Sequence, residues 1–364
     1  MTKIIFIVST LKKSGPTVVL KNIIKYLNFN SFAPVIITLS KEPEHSEKKY
    51  FEEVLNTKII CLNLSRFGGI FLAKKRIREI LKVERPGVIH SHGIRADNIC
   101  SGLSEYSVRI STLHNYAFED YKMKFGKIKS FIMIFIHYSL VKKNPSMFIA
   151  CSKALHEKYI KNQQVLLKYI QNGVDLKEYY PVKSKQGIRN KLDIRKDSVV
   201  FISVGSLVKL KNLKTTVDAF TLFNNTIENS ALLIIGDGPE KKYLDKGNKN
   251  IFFLGSVVNV YEYLQASDIY VSSSLSEGLP NSVMEAMATG LPCVLSDISA
   301  HHELAGTDKS LIFAEQNASD ACEKFLVALE NKEHYSQNSY HNATKLFSAK
   351  KMSCNYQKLY KRTV

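Results

Sequence analysis

Residues Ser274 to Pro292 read SLSEGLPNSVMEAMATGLP, and the interpretation of the chain starts from this stretch. Two carboxylates, Glu277 and Glu285, stand eight positions apart, with Gly278 and Pro280 between them and good helix formers around the second. A proline at a first helical position has no intrahelical amide to lose. A helix is therefore predicted to start near Pro280 or Asn281 and to end at Gly290, a residue suited to C′. Glu277 then lies in a loop and Glu285 on the helix. A helix start leaves its first amides, here those of Asn281, Ser282 and Val283, without intrahelical acceptors, and with the positive end of the macrodipole they are expected to bind a phosphate without a cation. A glutamate close to a first helical turn is also what plain helix stabilisation produces, so the stretch alone leaves both readings open.

On either side, short β-branched runs alternate with helical patterns. Up to Pro181 they are Ile4 to Val8, Val35 to Leu39, Lys58 to Leu62, Val88 to Ser91, Arg109 to Leu113 and Phe148 to Cys151. Beyond it they are Val199 to Val204, Ala231 to Ile235, Ile251 to Leu254, Ile269 to Ser273 and Cys293 to Ser296. This is the signature of βαβ units on parallel sheets. A chain of 364 residues exceeds the size at which one hydrophobic core keeps growing. Two tandem Rossmann-like α/β domains are expected, residues 1–180 and 181–345, with ligands bound in the cleft outside the carboxyl ends of the strands.

The formal charge of +18 is uneven. Up to Tyr180 there are 29 basic and 14 acidic residues, and beyond it 22 and 19. A basic half suits nucleic acid, an anionic membrane face or a phosphorylated substrate. Nucleic acid is disfavoured, because the basic residues lie on amphipathic helices without a reading motif. The six cysteines form no C-x-x-C pair, which points to a reducing compartment and no structural zinc. The start, MTKIIFIVST, reads as a first strand and not as a secretory signal, and no apolar run reaches the length of about 18 residues that spans a bilayer.

Tyr121 to Lys143 holds six lysines, no acid and the largely apolar run Phe131 to Val141. That composition fits an interfacial helix resting on anionic headgroups, and equally a core helix with solvated ends. Leu72 to Lys82 is a second basic amphipathic helix, read as a solvated face. His90 and His92, in IHSHGIRAD, share one face of a strand end. With no third ligand and no D-x-D motif they are read as lining the cleft or packing, not as a metal pair.

The spacing of Glu277 and Glu285 resembles the E-x7-E signature of the retaining GT-B glycosyltransferases, the glycosyl transferases group 1 or family 4. The resemblance covers nearly the whole chain and is strongest from Val204 to Glu303. It implies a GT-B fold of two Rossmann-like domains facing across a cleft, with a terminal helix, about 346–364, returning to the first. It implies that Glu277 contacts the donor sugar, that Glu285 holds the ribose hydroxyls, and that Asn281, Ser282 and Val283 cradle the diphosphate. In VGSLVKLKN, Gly205 is followed by Ser206 where the family has an arginine, while Lys211 keeps the family's lysine, and the resemblance implies that Glu277, Lys211 and His114 carry the chemistry. Where the family has a Gly-Gly pair after the first strand, this chain has Ser14 and Gly15. Asn172, Leu279 and Val257 complete the implied donor site. IIGDGP lacks the third glycine of a dinucleotide fingerprint, since Lys241 stands there.

The expected activity is transfer of a hexose or N-acetylhexosamine from a nucleotide-diphosphate donor, UDP-linked, with retention and without a metal or other cofactor. The implied acceptor is a lipid-linked glycan in O-antigen, capsule or lipopolysaccharide assembly, and the implied location is cytoplasmic, on the inner face of the membrane. The rival readings are a nucleotide-sugar epimerase or hydrolase on the same fold, and a non-catalytic membrane-surface protein.

Overall fold

The computed structural model describes residues 1–65, 69–103, 105–124, 126–245 and 247–363. It comprises two compact units, Met1–Gly173 with Ala349–Val364, and Val174–Ser348.

The first unit carries strands β1 (Thr2–Val8), β2 (Phe32–Thr38), β3 (Lys58–Cys61), β4 (Val88–His92), β5 (Val108–Leu113), β6 (Phe148–Ala150) and β7 (Lys168–Tyr169). They form one parallel sheet in the order β3-β2-β1-β4-β5-β6-β7. Its helices are α1 (Gly15–Lys25), α2 (Gly69–Glu84), α3 (Ile94–Cys100), α4 (Ala117–Lys124), α5 (Lys127–Lys143) and α6 (Lys153–Gln163). Alternate residues of β1 fill two cores: Ile4, Phe6 and Val8 pack under α1, whereas Ile5 and Ile7 pack on the other face with Ile77 and Leu81 of α2. Burial on both faces is why these strands read as nearly continuous apolar runs.

The second unit carries β8 (Val199–Val204), β9 (Ser230–Ile235), β10 (Ile251–Gly255), β11 (Ile269–Ser272), β12 (Cys293–Ser296) and β13 (Ile312–Phe313), in the order β10-β9-β8-β11-β12-β13. Its helices are α7 (Gln186–Lys191), α8 (Leu213–Asn224), α9 (Lys241–Leu244), α10 (Val260–Ala266), α11 (Asn281–Ala288), α12 (Ser299–Ala305), α13 (Ala318–Glu330) and α14 (Lys332–Leu346). Both sheets have the doubly wound order, which reverses between the first and fourth strands; ligands of such sheets bind outside the carboxyl ends at that reversal.

The last helix, α15 (Ala349–Thr363), packs in the first unit. Met352, Tyr356 and Tyr360 are buried against β1 and α1, and Ser353 Oγ donates to Ile23 O at 2.8 Å. Residues after Gly173 are tied to the second unit. Val174 N donates to Phe347 O at 2.7 Å, Gln265 Nε2 to Tyr180 O at 3.0 Å, and Pro181 lies against Gly290.

Helix α1 starts at Gly15 with Ser14 as its N-cap. The α11 start expected near Pro280 or Asn281 is the one observed. In α11, Pro280 is the N-cap residue in an extended conformation, so Asn281 is the first helical position. Gly290 takes φ +75 at C′, where a side chain would be strained.

Candidate active site

Two loops of the second unit, after β8 and after β11, meet at the reversal of its strand order. The β11 loop is fixed to the β8 loop by Leu275 N donating to Leu210 O at 2.9 Å and by Ser273 Oγ donating to Asn212 O at 2.8 Å. These bonds set Lys211 against Glu277: Lys211 Nζ donates to Glu277 Oε1, and Ser274 Oγ donates to the same oxygen at 2.8 Å. Burial by itself would raise the Glu277 carboxyl. The Lys211 charge, with the hydrogen bonds from Lys211 and Ser274, outweighs it and holds the group below the usual carboxylate range. Glu277 is thus an ionised acceptor and not a proton donor.

The stem of Lys211 passes 3.5 Å from where a Cβ on Gly205 would stand, so Gly205 and Lys211 are neighbours. Ser206 is exposed beside them. The G-D-G loop supports this arrangement from behind. A Cβ on Gly236 would lie 1.9 Å from Gly205 O, and one on Gly238 would lie 2.3 Å from Leu207 O. Those glycines let two backbone segments touch, and this close packing is their evident role.

Helix α11 opens next to Glu277. Ser282 Oγ accepts a 3.0 Å hydrogen bond from Tyr270 OH, and the fields of Glu285 and Glu277 both act on that buried phenol. Leu279 and Val283 bury their side chains, so their backbone is what they can offer a ligand. Asn281, Ser282 and Glu285 remain half-buried at the helix start and along its face. Val257, just beyond β10, is half-buried as well.

His301, on α12, was not singled out from the sequence. It is fully buried, with Nδ1 donating to Ser296 O at 2.9 Å and Nε2 3.3 Å from Ser272 Oγ. Burial pushes its pKa down to about 4, despite the field of Glu277. A neutral, hydrogen-bonded imidazole thus braces the strand end that delivers Ser274 and Glu277. It stands 24 positions after Glu277, in a His-His-Glu run that carries no motif.

In the first unit, Gly15 is exposed at the start of α1, where Ser14 Oγ and Thr17 Oγ1 lie 2.9 Å apart. Asn172 is buried, its amide donating to Cys151 O at 2.9 Å. His90 and His92 are packed. His90 Nδ1 is 2.8 Å from Tyr360 OH and its Nε2 2.8 Å from Thr112 Oγ1.

His92 Nδ1 is 2.9 Å from His114 Nε2, with the rings stacked at 5.2 Å. His92 Nε2 is buried without a hydrogen-bond partner among the described residues. An orphaned buried N–H is rarer than an orphaned acceptor, and on that ground we assign the proton to His92 Nδ1 and leave Nε2 bare. His92 then donates to His114, and His114 carries its own proton on Nδ1, away from His92. Burial lowers the pKa of His90 to about 3 and that of His114 to about 4, and holds His92 well below its usual value. Among the described residues no group of three His, Cys, Asp or Glu side chains is arranged to hold a metal ion.

Residues 184–345 match the model of the glycosyl transferases group 1, and residues 13–178 match that of Glycosyltransferase Family 4. The chain is 30% identical over 292 residues to the UDP-Gal:alpha-D-GlcNAc-diphosphoundecaprenol alpha-1,3-galactosyltransferase of Escherichia coli, covering 74% of this chain and 72% of that one. It is 27% identical to the O-antigen biosynthesis glycosyltransferase WclY of Escherichia coli over 98% of each chain. Among solved structures, sucrose-phosphate synthase from Thermosynechococcus elongatus superposes with a TM-score of 0.81 at 16% identity, over 100% of this chain and 99% of that one. Anabaena Alr3699/HepE in complex with UDP and glucose gives 0.81 at 17% identity, over 99% and 100%. The α/β GT-B fold expected from the sequence is the fold observed, and the chain belongs to the glycosyl transferases group 1 family of GT-B glycosyltransferases.

Proposed function

We propose that the protein moves a hexose or N-acetylhexosamine from a UDP-linked donor to a hydroxyl of a lipid-linked glycan, with retention and without a metal. The reading places this step in bacterial O-antigen, capsule or lipopolysaccharide assembly at the inner face of the cell membrane. The observation that carries it is the meeting of Lys211, Glu277 and the α11 amino terminus at the strand-order reversal of one sheet. A cation, an ionised acceptor and a row of amides there match a sugar joined to a diphosphate. Support for the substrates comes from the relative named for UDP-Gal and a diphosphoundecaprenol acceptor.

In this reading the amides of Asn281, Ser282 and Val283 hold the diphosphate, with Leu279 and Gly205 shaping the backbone around it. Glu285 takes the ribose hydroxyls and Val257 lies by the base. Glu277, held ionised, accepts hydrogen bonds from sugar hydroxyls. As the bond from the anomeric carbon to the phosphate oxygen breaks, Lys211 and the amides stabilise the charge growing on the leaving diphosphate. The leaving oxygen takes the acceptor hydroxyl's proton while the new glycosidic bond forms on the same face. Lys211 fills the role for which Ser206 offers no charge. For the first unit the reading assigns donor-binding roles to Gly15 and Asn172 and a catalytic one to His114, a neutral hydrogen-bond donor through Nδ1.

A panel of nucleotide sugars tested by thermal shift identifies the donor, because binding to the native state raises stability by mass action. With the donor known, Glu285→Ala is expected to raise its KM with a smaller change in kcat. An unchanged KM would remove Glu285 from the ribose site.

A further inference from the structure

Helix α5 is built inside out. Its buried positions are Ser130, Ile134, His137 and Val141, a stripe in which every second member is polar. Ser130 Oγ donates to Lys127 O at 2.9 Å, and His137 Nδ1 lies 2.9 Å from Tyr121 OH with its Nε2 facing Asp97 Oδ2 at 3.7 Å. The opposite stripe is apolar and faces outward: Ile128 is 80% exposed, Phe131 72%, Phe135 65% and Ile132 52%. Ile136, on the same side of the helix, extends it. Basic helix α2 is the contrast, since it buries Ala73, Ile77 and Leu81 and turns Arg76 and Arg78 to solvent. An apolar stripe five residues long on one exposed face marks an interaction surface.

The charges say what covers it. Exposed Lys127 and Lys129 stand in the first turn of α5 and Lys142 and Lys143 in the last, and the helix carries no acid. Lysines in a first turn oppose the helix macrodipole, so their placement disfavours the isolated helix and suits an external anion. The two acids of α4 are engaged inward. Glu119 accepts from Lys158 at 2.5 Å, and buried Asp120 accepts from Asn115 at 3.3 Å. A second copy of the chain is a poor occupant. A twofold contact across α5 sets lysines on lysines at both ends whether the helices run parallel or antiparallel. A fluid apolar layer under an anionic sheet satisfies the phenylalanines and the lysines together. No helix among the described residues is long and apolar enough to cross a membrane, and α5, about 25 Å long at 17 residues, fits lying flat. Phe125, within the basic segment noted in the sequence, lies outside the described residues.

We propose that the outward face of α5, Ile128, Phe131, Ile132 and Phe135 rimmed by Lys127, Lys129, Lys142 and Lys143, docks the first unit on an anionic lipid bilayer. This deepens the membrane-side location given above and is independent of the sugar chemistry.

The test uses the full chain with vesicles of phosphatidylcholine alone and of an equal mixture with phosphatidylglycerol, read by co-sedimentation. Wild type is expected to bind the anionic vesicles, weakly or not at all the neutral ones, and to be released by salt. Phe131→Ser with Phe135→Ser, and separately Lys127→Gln with Lys129→Gln, are each expected to weaken anionic-vesicle binding about tenfold or more while the melting temperature holds. Both pairs are exposed, so folding is not at stake. Equal binding of the variants and wild type overturns the proposal, as does wild type that ignores anionic vesicles. Loss of a wild-type dimer in the phenylalanine variant, seen by analytical ultracentrifugation without vesicle binding, assigns the face to a second copy instead. Nucleotide-sugar thermal shifts run alongside separate the two readings: a shift without vesicle binding refutes only the docking surface, and vesicle binding without any shift refutes only the proposed donor site.

Discussion

Acidification from pH 7.5 to 5.5 is expected to strike the first unit harder than the second. Four of its histidines are neutral, three of them buried and His114 half-buried: desolvation puts His90 at about 3, His114 and His137 at about 4, and His92 well below the ordinary value of 6.5. A group whose folded pKa is depressed contributes stability above its unfolded pKa, and that contribution drains away as pH falls toward the folded value. Between pH 7.5 and 5.5 each histidine withdraws about 1.4 kcal/mol, and the four together about 5.5 kcal/mol. Asp97 works the other way. Burial raises it to about 7, against hydrogen bonds from Ser111 and Ser91, so its contribution grows as pH falls through that value and returns about 2 kcal/mol. The net loss is about 3.5 kcal/mol, a large share of the ~5–15 kcal/mol that typically holds a domain folded. The second unit has one such histidine, His301 at about 4, and loses only about 1.4 kcal/mol. Its deep carboxylate, Asp268, does not titrate in this window: burial would raise it, but Lys185, Lys332 and their hydrogen bonds hold it at about 2. Scanning calorimetry with hydrogen-exchange mass spectrometry checks this. The transition that opens peptides of the first unit should drop by roughly 10 °C, and the other by a few degrees. Equal shifts in both units, or imidazole NMR signals of His90 and His92 titrating near pH 6.5, would refute the reasoning.

Other outcomes follow from the same geometry. Lys211→Met should destabilise the second unit by roughly 3 kcal/mol, because Glu277 is left ionised and buried; adding Glu277→Leu should restore most of the stability but not nucleotide-sugar binding. Calorimetry of single and double variants decides, and equal losses in both would remove the pair as the cause. His92→Leu should move the His114 proton from Nδ1 to Nε2 in long-range nitrogen–proton NMR spectra and lower kcat, whereas His92→Asn, with an amide near the Nδ1 position, should retain more of both. An unchanged His114 tautomer in His92→Leu would refute the donor assignment. Gly236→Ala should cost roughly 3 kcal/mol or more and loosen donor binding, since the new methyl collides with Gly205 O. A stable variant with a wild-type thermal shift would count against the glycines' supporting role.

The strands were legible because parallel sheets covered on both faces leave unbroken apolar runs, and each run from Ile4 to Ser296 falls on a strand. Strands β7 and β13 were not, since two residues at a sheet edge leave no period to read. The pairing of Lys211 with Glu277 joins residues 66 positions apart, a distance that a motif can name but no local pattern can close. His301 escaped because its task is to hold a strand end, and such positions bear no signature. For α5 the sequence left two readings in balance, because apolar residues fall on both faces. Which face is outward depends on Asp97 and Tyr121 claiming His137 for the interior.

Helix α15 makes residues 349–363 a structural part of the unit built from residues 1–173. During synthesis, residues 174–348 leave the ribosome complete, while the earlier unit still lacks Met352, Tyr356 and Tyr360. The earlier unit must therefore wait, with the floor beneath β1 and α1 open, until residues 349–363 have been made. Removing α15 would spare the unit of residues 174–348 and cripple the one built from residues 1–173, so that damage late in the sequence appears in the part of the molecule made first.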